Sequence, residues 1–198
     1  MGTISASLVK ELREKTGAGM MDCKEALTAC DGDIEKAVDF LRQKGLAKAA
    51  KRSGRETSEG IVESYIHMGG KIGVMVEVNC ESDFVAKTDD FKEFARNVAM
   101  QIAATNPAGI TPEDVPADLL ERERQVYRAQ VLEMGKPENM VDKIVDGKIK
   151  KFFKESCLIE QQYVKNPDIT IGDYLNETVA KIGESIRIKR FARFALGE

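Results

Sequence analysis

The feature that most constrains this chain is a strand pattern followed closely by a helix pattern. From Ile72 to Asn79 every second residue is aliphatic, which is typical of a strand with one buried face. After a short connection, the segment 88–105 repeats apolar residues at helical spacing, namely Phe91, Phe94, Ala95, Val98 and Ile102. Two one-sided elements in succession predict an α+β fold in which helices pack on a sheet.

Two further segments complete a small antiparallel sheet of three strands. Ile61–His67 is rich in β-forming residues, and a Met-Gly-Gly turn joins it to the strand at 72–79, so the pair predicts a hairpin. Ser185–Leu196 predicts a third strand. Its apolar phase slips near Lys189 and Arg190, which indicates a bulge or the end of the strand. A sheet this small leaves edges that a second copy could cover.

The N-terminal segment predicts three short helices. Ser5 is suited to cap the first, Met20 begins the second, and Asp33 is suited to cap a third that ends at Gly45. A bundle of this size has a small core and often serves as a docking module.

The chain divides into a helical module at 1–46, a linker at 47–59 and an α+β core at 60–198. We interpret the linker as a solvated connection. The alternative is an anion-binding patch formed by its cations, Lys48, Lys51, Arg52 and Arg55. The later part of the core predicts helices at 119–133, 140–145, 148–164 and 171–182. Thr170 and Asp173 resemble a capping box for the last of these.

The composition describes an ordinary globular chain. Of 198 residues, 42% are apolar and 32% charged, and the formal charge is −3, so we expect no nucleic acid as the main partner. No apolar run approaches the roughly 18 residues needed to span a membrane, and the N-terminus lacks the apolar segment of a secretory signal. The four cysteines form no C-x-x-C pair, so we expect reduced thiols in a cytoplasmic protein without zinc.

No set of residues suggests catalysis. The chain lacks a nucleophile elbow, a phosphate-binding glycine loop and a metal-binding histidine motif. Its one histidine, His67, lies at a hairpin turn, where a surface residue is expected. We therefore expect a protein that binds a partner, not an enzyme, with no catalytic residues, cofactor or metal.

The connection between the best strand and the best helix is the first candidate binding site. Ser82 or Asp83 is suited to cap its first turn, and Phe84 and Val85 follow. Phe84 is either a core residue under the helix or an interface wedge. Three acids could also hold magnesium, although the helix dipole explains them better: Asp83, Asp89 and Asp90.

A second candidate lies at the start of the second helix. Met20 and Met21 are adjacent, so both cannot face the core of a small bundle, and at least one is expected at the surface. Exposed methionine is an adaptable contact residue. The alternative is that one packs in the core and the other is exposed by chance.

Two long motifs in this sequence resemble the signatures of a known family. The run Leu12–Leu27, LREKTGAGMMDCKEAL, and the run Glu77–Lys87, EVNCESDFVAK, resemble the two signatures of the elongation factor Ts family in order and spacing. The resemblance covers most of the chain. Ser82 stands where the second signature usually has Thr, so the hydroxyl is kept. The chain lacks the repeated core half of longer members, and it resembles compact members that form homodimers. A bridge between two copies through Cys157 is disfavoured in a reducing cytoplasm.

The resemblance implies a function for both candidates. Members of this family are guanine-nucleotide exchange factors, and their partner is elongation factor Tu, a GTPase of translation. The helical module would be a ubiquitin-associated-like (UBA-like) bundle that docks on the GTPase through Arg13, Met20, Met21 and Lys24. The second signature would contact the GTPase near its nucleotide and magnesium through Ser82, Asp83, Phe84 and Val85. Phe84 would act there as a wedge, and Asp83 would hold that contact.

Two other functions stay open on the residues alone. A ubiquitin-type or nascent-chain-binding adaptor would use only the N-terminal bundle and would have no exchange activity. An RNA-binding protein would use the basic segments 48–55 and 187–193, and its binding would depend strongly on salt. The acidic balance and the lack of an aromatic stacking sheet count against RNA.

Overall fold

The computed structural model describes residues 4–52 and 54–198, and it confirms the mixed helix and sheet class. The helices are α1 Ala6–Thr16, α2 Met20–Ala29, α3 Ile34–Arg52, α4 Asp83–Ala86, α5 Asp89–Thr105, α6 Ala117–Glu133, α7 Glu138–Ser156 and α8 Ile171–Ile182. The strands are β1 Glu59–Ile66, β2 Ile72–Cys80, β3 Gln162–Tyr163, β4 Asn166–Thr170 and β5 Ile186–Ala195. None of the helices in the described ranges is long and apolar enough to cross a membrane.

The main sheet has the strand order β1-β2-β5, so β2 is its central strand. At the hairpin, the N–H of His67 donates to the carbonyl oxygen of Ile72 at 2.9 Å. Just after β5, the N–H of Leu196 donates to the carbonyl oxygen of Lys71 at 2.8 Å. Each bond joins the end of one strand to the start of β2, so both pairs are antiparallel, as the sequence predicted. The aliphatic face of β2 is buried through Val74, Val76 and Val78.

The described residues divide into two compact units. The first contains the chain as far as Ile61, with Val78–Phe94 and Leu175–Arg187. The second contains Val62–Glu77, Ala95–Tyr174 and Ile188–Glu198. The boundaries that the sequence suggested, at 46 and 59, remain a prediction.

In the first unit, α1, α2 and α3 enclose a small apolar core. Ser5 caps α1 by accepting a hydrogen bond from the N–H of Leu8 at 3.2 Å, and Asp33 caps α3 through Lys36 at 3.1 Å. Both caps were predicted. The core consists of Val9, Leu12, Cys23, Ala26, Leu27 and Ala37. The likeness of this bundle to ubiquitin-associated domains remains a prediction.

The third helix is longer than the sequence suggested. We expected α3 to end at Gly45, yet it continues to Arg52. Gly45 is buried, and a Cβ added there would lie 3.1 Å from the Cβ of Ala180. The glycine therefore permits a close approach to α8 and does not end the helix. Ala and Lys, which are good helix formers, carry the helix on.

In the second unit, α6 and α7 form a helical hairpin with its own core. The prediction of two helices at 140–145 and 148–164 was wrong, because α7 is continuous. Its apolar residues recur every four positions on both sides of Gly147, so packing against α6 outweighs the helix-breaking tendency of the glycine. The core of the hairpin consists of Val131, Val141, Val145 and Ile149.

The chain after α7 contains an element that the sequence did not reveal. β3 and β4 form a two-stranded antiparallel sheet, with Gln162 opposite Thr170. Thr170 then begins the predicted capping box. The N–H of Asp173 donates to Oγ1 of Thr170 at 3.0 Å, and the N–H of Thr170 donates to Oδ2 of Asp173 at 3.1 Å. Along β5, burial changes phase between Lys189 and Arg190, where the slip was predicted.

Three of the four cysteines are buried, as expected for structural thiols: Cys23, Cys80 and Cys157. Burial raises the pKa of Cys157 to about 11. A buried neutral thiol is a poor nucleophile for disulfide exchange. The arrangement therefore counts against a bridge between two copies through Cys157.

Two glycine substitutions test the backbone geometry with opposite expected outcomes. Gly60 in β1 has φ +146°, and a Cβ there would overlap the carbonyl oxygen of Val78. Gly60→Ala is expected to lower the free energy of unfolding by more than about 2 kcal/mol, because backbone atoms must move. Gly147→Ala meets no atom within 4 Å and is expected to raise that free energy by about 0.5–1 kcal/mol. Urea unfolding measures both changes, and a tolerated Gly60→Ala would contradict the strand geometry.

Candidate functional site

The single-turn helix α4 presents Phe84 to solvent. Ser82 caps this turn, because its Oγ accepts a hydrogen bond from the N–H of Val85 at 3.4 Å. Phe84 is 79% exposed, whereas Ala86 two residues later is buried. The hypothesis that Phe84 is a core residue is therefore wrong. The residues Ser82, Asp83, Phe84 and Val85 are named the corner below.

Asp83 stands beside Phe84 and is also exposed. Its carboxylate accepts a hydrogen bond from Lys87 at 2.7 Å, and this bond, together with the charge of Lys87, holds the pKa of Asp83 below its usual range. Asp90 pairs with Lys181, also at 2.7 Å. Two of the three acids considered for magnesium are thus bound to lysines. Within the described ranges, no group of three His, Cys, Asp or Glu side chains is arranged so that it could hold a metal ion.

Ser82 is held by a residue from a distant part of the chain. Its Oγ donates to Oε1 of Glu184 at 2.7 Å, and its N–H donates to Oε2 at 3.0 Å. The two residues are 102 positions apart. The sequence did not single out Glu184, because one glutamate after a helix carries no local pattern. The one sequence signal next to Glu184 is Gly183, which ends α8 and has a φ of +88°.

The four residues predicted on the bundle are all exposed. Met20 is 52% and Met21 76% exposed, so both methionines face solvent. Lys24 is four positions after Met20, which makes their side chains neighbours on the surface of α2. Arg13 lies in the last turn of α1, just before the turn at Gly17, φ +66°, that leads towards α2.

A network of ion pairs fixes α2 on α3. Asp22, next to Met21, contacts Lys44 at 3.0 Å and Lys48 at 3.0 Å, and Lys44 contacts Glu25 at 2.6 Å. The hydrogen bonds from Lys44 and Lys48 lower the pKa of Asp22. Lys48 lies on the part of α3 that the sequence had assigned to a linker. The extension of α3 therefore helps to orient the exposed methionines.

Both candidate groups lie in the first unit, together with the part of α8 from Leu175 onwards. The Nζ of Lys181 pairs with Asp90. The side chain of the same lysine passes Gly17, where an added Cβ would lie 3.5 Å from Cε. A single lysine thus pairs with the helix that follows the corner and lies beside the turn after α1.

Comparisons with known proteins agree with one another. The family model described as elongation factor TS matches residues 20–198. The chain is similar to elongation factor Ts of Syntrophobacter fumaroxidans, with 65% identity over 194 residues, 98% of this chain and 97% of the relative. For Carboxydothermus hydrogenoformans the identity is 63%, over 98% of this chain and 90% of the relative. For Solidesulfovibrio magneticus it is 61%, over 100% of this chain and 99% of the relative.

The ion-pair network predicts a dependence of stability on pH. The folded-state pKa of Asp22 lies below its ordinary value of 3.8, so its contribution is present above that pH and is lost as the pH falls through the folded value. Asp22→Asn is expected to cost about 0.5–1 kcal/mol of unfolding free energy at pH 7. The difference between the two proteins should shrink well below pH 3.8. Urea unfolding across that range measures it, and a constant difference would contradict the network.

Proposed function

The chain belongs to the elongation factor Ts family, and we propose that it accelerates GDP release from elongation factor Tu by inserting the corner near the nucleotide. Members of this family are guanine-nucleotide exchange factors of translation elongation, so the chain acts by binding a partner and not by catalysing a covalent reaction. The observation that carries the proposal is Phe84, an aromatic side chain 79% exposed on a capped single turn.

The corner is suited to act as a wedge. An aromatic side chain with only two rotatable bonds gives a large contact area at a low entropic cost, and such residues dominate binding energy when a partner buries them. The carboxylate of Asp83 is anionic at neutral pH, and the hydrogen bond from Lys87, which lowers its pKa, also fixes its position. A fixed negative charge beside the wedge can accept a hydrogen bond from the GTPase or compete for groups that hold magnesium.

We propose that the bundle provides the docking contact. Met20 and Met21 form an adaptable apolar surface, and Lys24 is its neighbouring cation on α2. Arg13 adds a second exposed cation from α1. In this arrangement the bundle supplies affinity for the GTPase, and the corner acts on the nucleotide.

Exchange follows from linkage. A factor that binds the nucleotide-free GTPase more tightly than the GDP form must weaken GDP binding by the same ratio. Contacts to the phosphates and their magnesium ion hold the nucleotide, so disturbing them is an effective way to release it. The factor itself needs no nucleotide site or cofactor for this action.

We also propose that two copies associate through the open face of the main sheet. The contact between Arg190 and Glu77, at 2.7 Å, places alternate residues of β5 on the same face as Met75 of β2. Ile66 lies on that face as well, since its Cδ1 would be 3.1 Å from a Cβ added to Gly73. Within the described chain the outer edges of β1 and β5 pair with no further strand. The exposed apolar residues of this face are Val62, Ile66, Met75 and Phe194.

We also propose a cytoplasmic location and a protein partner instead of RNA, as the sequence predicted. A cytoplasmic location agrees with the four free thiols. A protein partner, not RNA, agrees with the net charge of −3 and with the apolar character of the exposed residues on the bundle and the corner.

Release of a fluorescent GDP analogue from elongation factor Tu, with catalytic amounts of this protein, tests the exchange proposal. Phe84→Ala is expected to lower the accelerated rate about 30-fold, as for loss of an interface hot spot. Its unfolding free energy should stay unchanged, because the side chain is exposed. Met134→Ala, which truncates another exposed side chain, should keep the wild-type rate.

An unchanged rate for Phe84→Ala would remove the wedge. Binding of the GTPase by the wild-type protein without any acceleration would favour the adaptor function instead.

The dimer proposal predicts that a charge on the open sheet face separates the copies. Ile66→Glu is expected to give a monomer in sedimentation equilibrium at micromolar concentration, because each copy would bury an unpaired carboxylate in an apolar interface. Val126→Glu, at a half-exposed position on α6, is the matched control and should stay dimeric. A monomeric wild-type protein would contradict the proposal.

A further inference from the structure

We propose that Glu184 is a positioning residue for exchange, because a reciprocal pair of carboxylate contacts holds the corner in the conformation that presents Phe84. The inference rests on the proposed function of the corner and names the part of the molecule that supports it. We name the four residues involved, Glu81, Ser82, Glu184 and Ser185, the carboxylate clamp.

The clamp joins two pairs of adjacent residues. Glu184 accepts hydrogen bonds from the N–H and the hydroxyl of Ser82, at 3.0 and 2.7 Å. Glu81, the residue before Ser82, accepts a hydrogen bond from the N–H of Ser185, the residue after Glu184, at 2.6 Å. Each segment thus contributes one carboxylate as an acceptor, and each donates to the carboxylate of the other segment. A rotation of either segment would disturb both contacts.

A cation completes the clamp on one side. Oε2 of Glu81 contacts Arg55 at 3.2 Å, so both oxygens of this carboxylate have partners. The N–H of Ser185 and then the guanidinium of Arg55 lower the pKa of Glu81. Arg55 follows α3, and the clamp therefore also holds the segment that leaves the docking bundle.

The corner needs this support because its local structure is weak. A helix of four residues is below the length at which helices are stable alone, so α4 depends on its caps and on tertiary contacts. The cap bond from Val85 to Ser82 is long, at 3.4 Å. The same hydroxyl donates to Glu184, and that bond orients its lone pairs towards Val85. Glu184 therefore strengthens the cap that begins the turn carrying Phe84.

Burial around the clamp makes these bonds effective. Ser185 is 5% exposed, and Cys80 and Ala86 on either side of the corner are 0% and 6% exposed. The thiol of Cys80 donates to the carbonyl oxygen of Ser82 at 3.1 Å. The base of the corner is thus packed and hydrogen-bonded, whereas its tip is free to enter a partner. Removal of Glu184 would leave the N–H and the hydroxyl of Ser82 without this acceptor.

A loosened corner has a specific kinetic consequence. Glu184 bonds to Ser82 and not to Met20 or Met21, so the concentration of factor that gives half-maximal acceleration should change little when Glu184 is replaced. The maximal rate of GDP release should fall, because a mobile Phe84 must lose conformational freedom before it acts. A lower maximal rate with an unchanged half-maximal concentration indicates a positioning role, whereas a higher half-maximal concentration indicates a docking role.

The test uses three substitutions of Glu184 in the full-length protein with elongation factor Tu. Glu184→Ala removes the acceptor, and Glu184→Asp keeps the charge but is too short to reach; both are expected to lower the maximal rate about 10-fold. Glu184→Gln can accept from the N–H of Ser82 and donate to its hydroxyl, so it should stay within about 3-fold of wild type. Glu56→Ala, at an exposed glutamate of the same unit, is the control and should not change the rate.

A second measurement needs no partner. The chain has no tryptophan, so Phe84→Trp places a single tryptophan at the tip of the corner, and its fluorescence can be excited selectively over that of the four tyrosines. Adding Glu184→Ala is expected to lower the fluorescence anisotropy of that tryptophan, while circular dichroism shows that the fold is kept. Glu184→Gln should leave the anisotropy close to that of Phe84→Trp alone.

The outcomes separate the clamp from the exchange function. A lower maximal rate with a more mobile tryptophan supports the proposal. An unchanged maximal rate and unchanged anisotropy in Glu184→Ala overturn it, and so does a rise only in the half-maximal concentration, which would make Glu184 a docking residue. If the wild-type protein does not accelerate GDP release, the exchange function fails, and the anisotropy alone decides whether Glu184 holds the corner.

Discussion

Burial of the aliphatic face of β2 is the constraint on which the rest of the molecule depends. β2 is central in the sheet, and a slip of one residue would expose Val74, Val76 and Val78 together. The strand ends at Cys80, itself fully buried, and the corner begins two residues later. The position of Phe84 is therefore set by a strand whose register is strongly specified. An exposed aromatic at such a place is rigid at its base, which a loop of the same length would not provide.

Patterns with a short period were readable from the sequence because each depends on neighbours a few residues apart. The alternation in β2, the stripe of α5 and the caps at Ser5, Asp33 and Thr170 all belong to this kind. Glycine was an unreliable signal for helix ends, since this residue type ends one helix and lies inside two others. Gly17 adopts a positive φ and ends α1, whereas Gly45 and Gly147 stay helical because packing against another helix decides. Only the tertiary contact distinguishes these cases.

The candidate site likewise has parts that the sequence predicted and parts that only the structure showed. Exposure of at least one of Met20 and Met21 followed from their adjacency in a small bundle, whereas exposure of both required the structure. The segment of the corner followed from its place between a strand and a helix. Whether Phe84 points inward or outward was open, because both orientations fit the spacing. The role of Glu184 could not be seen, since its contact with Ser82 joins residues 102 positions apart and leaves no periodic trace. Lys48 was assigned to a linker, and its contact with Asp22 likewise required the structure.

The carboxylate clamp bears on how such a chain tolerates change over evolutionary time. Both of its halves belong to the first unit, whereas Ala95–Tyr174, which lies between them in sequence, belongs to the second. That intervening stretch holds the α6–α7 hairpin, whose core is separate. Insertions or deletions there would change the length of the chain between the halves without removing a residue of the clamp. The hairpin is thus a region where homologues can differ in size while the corner keeps its shape.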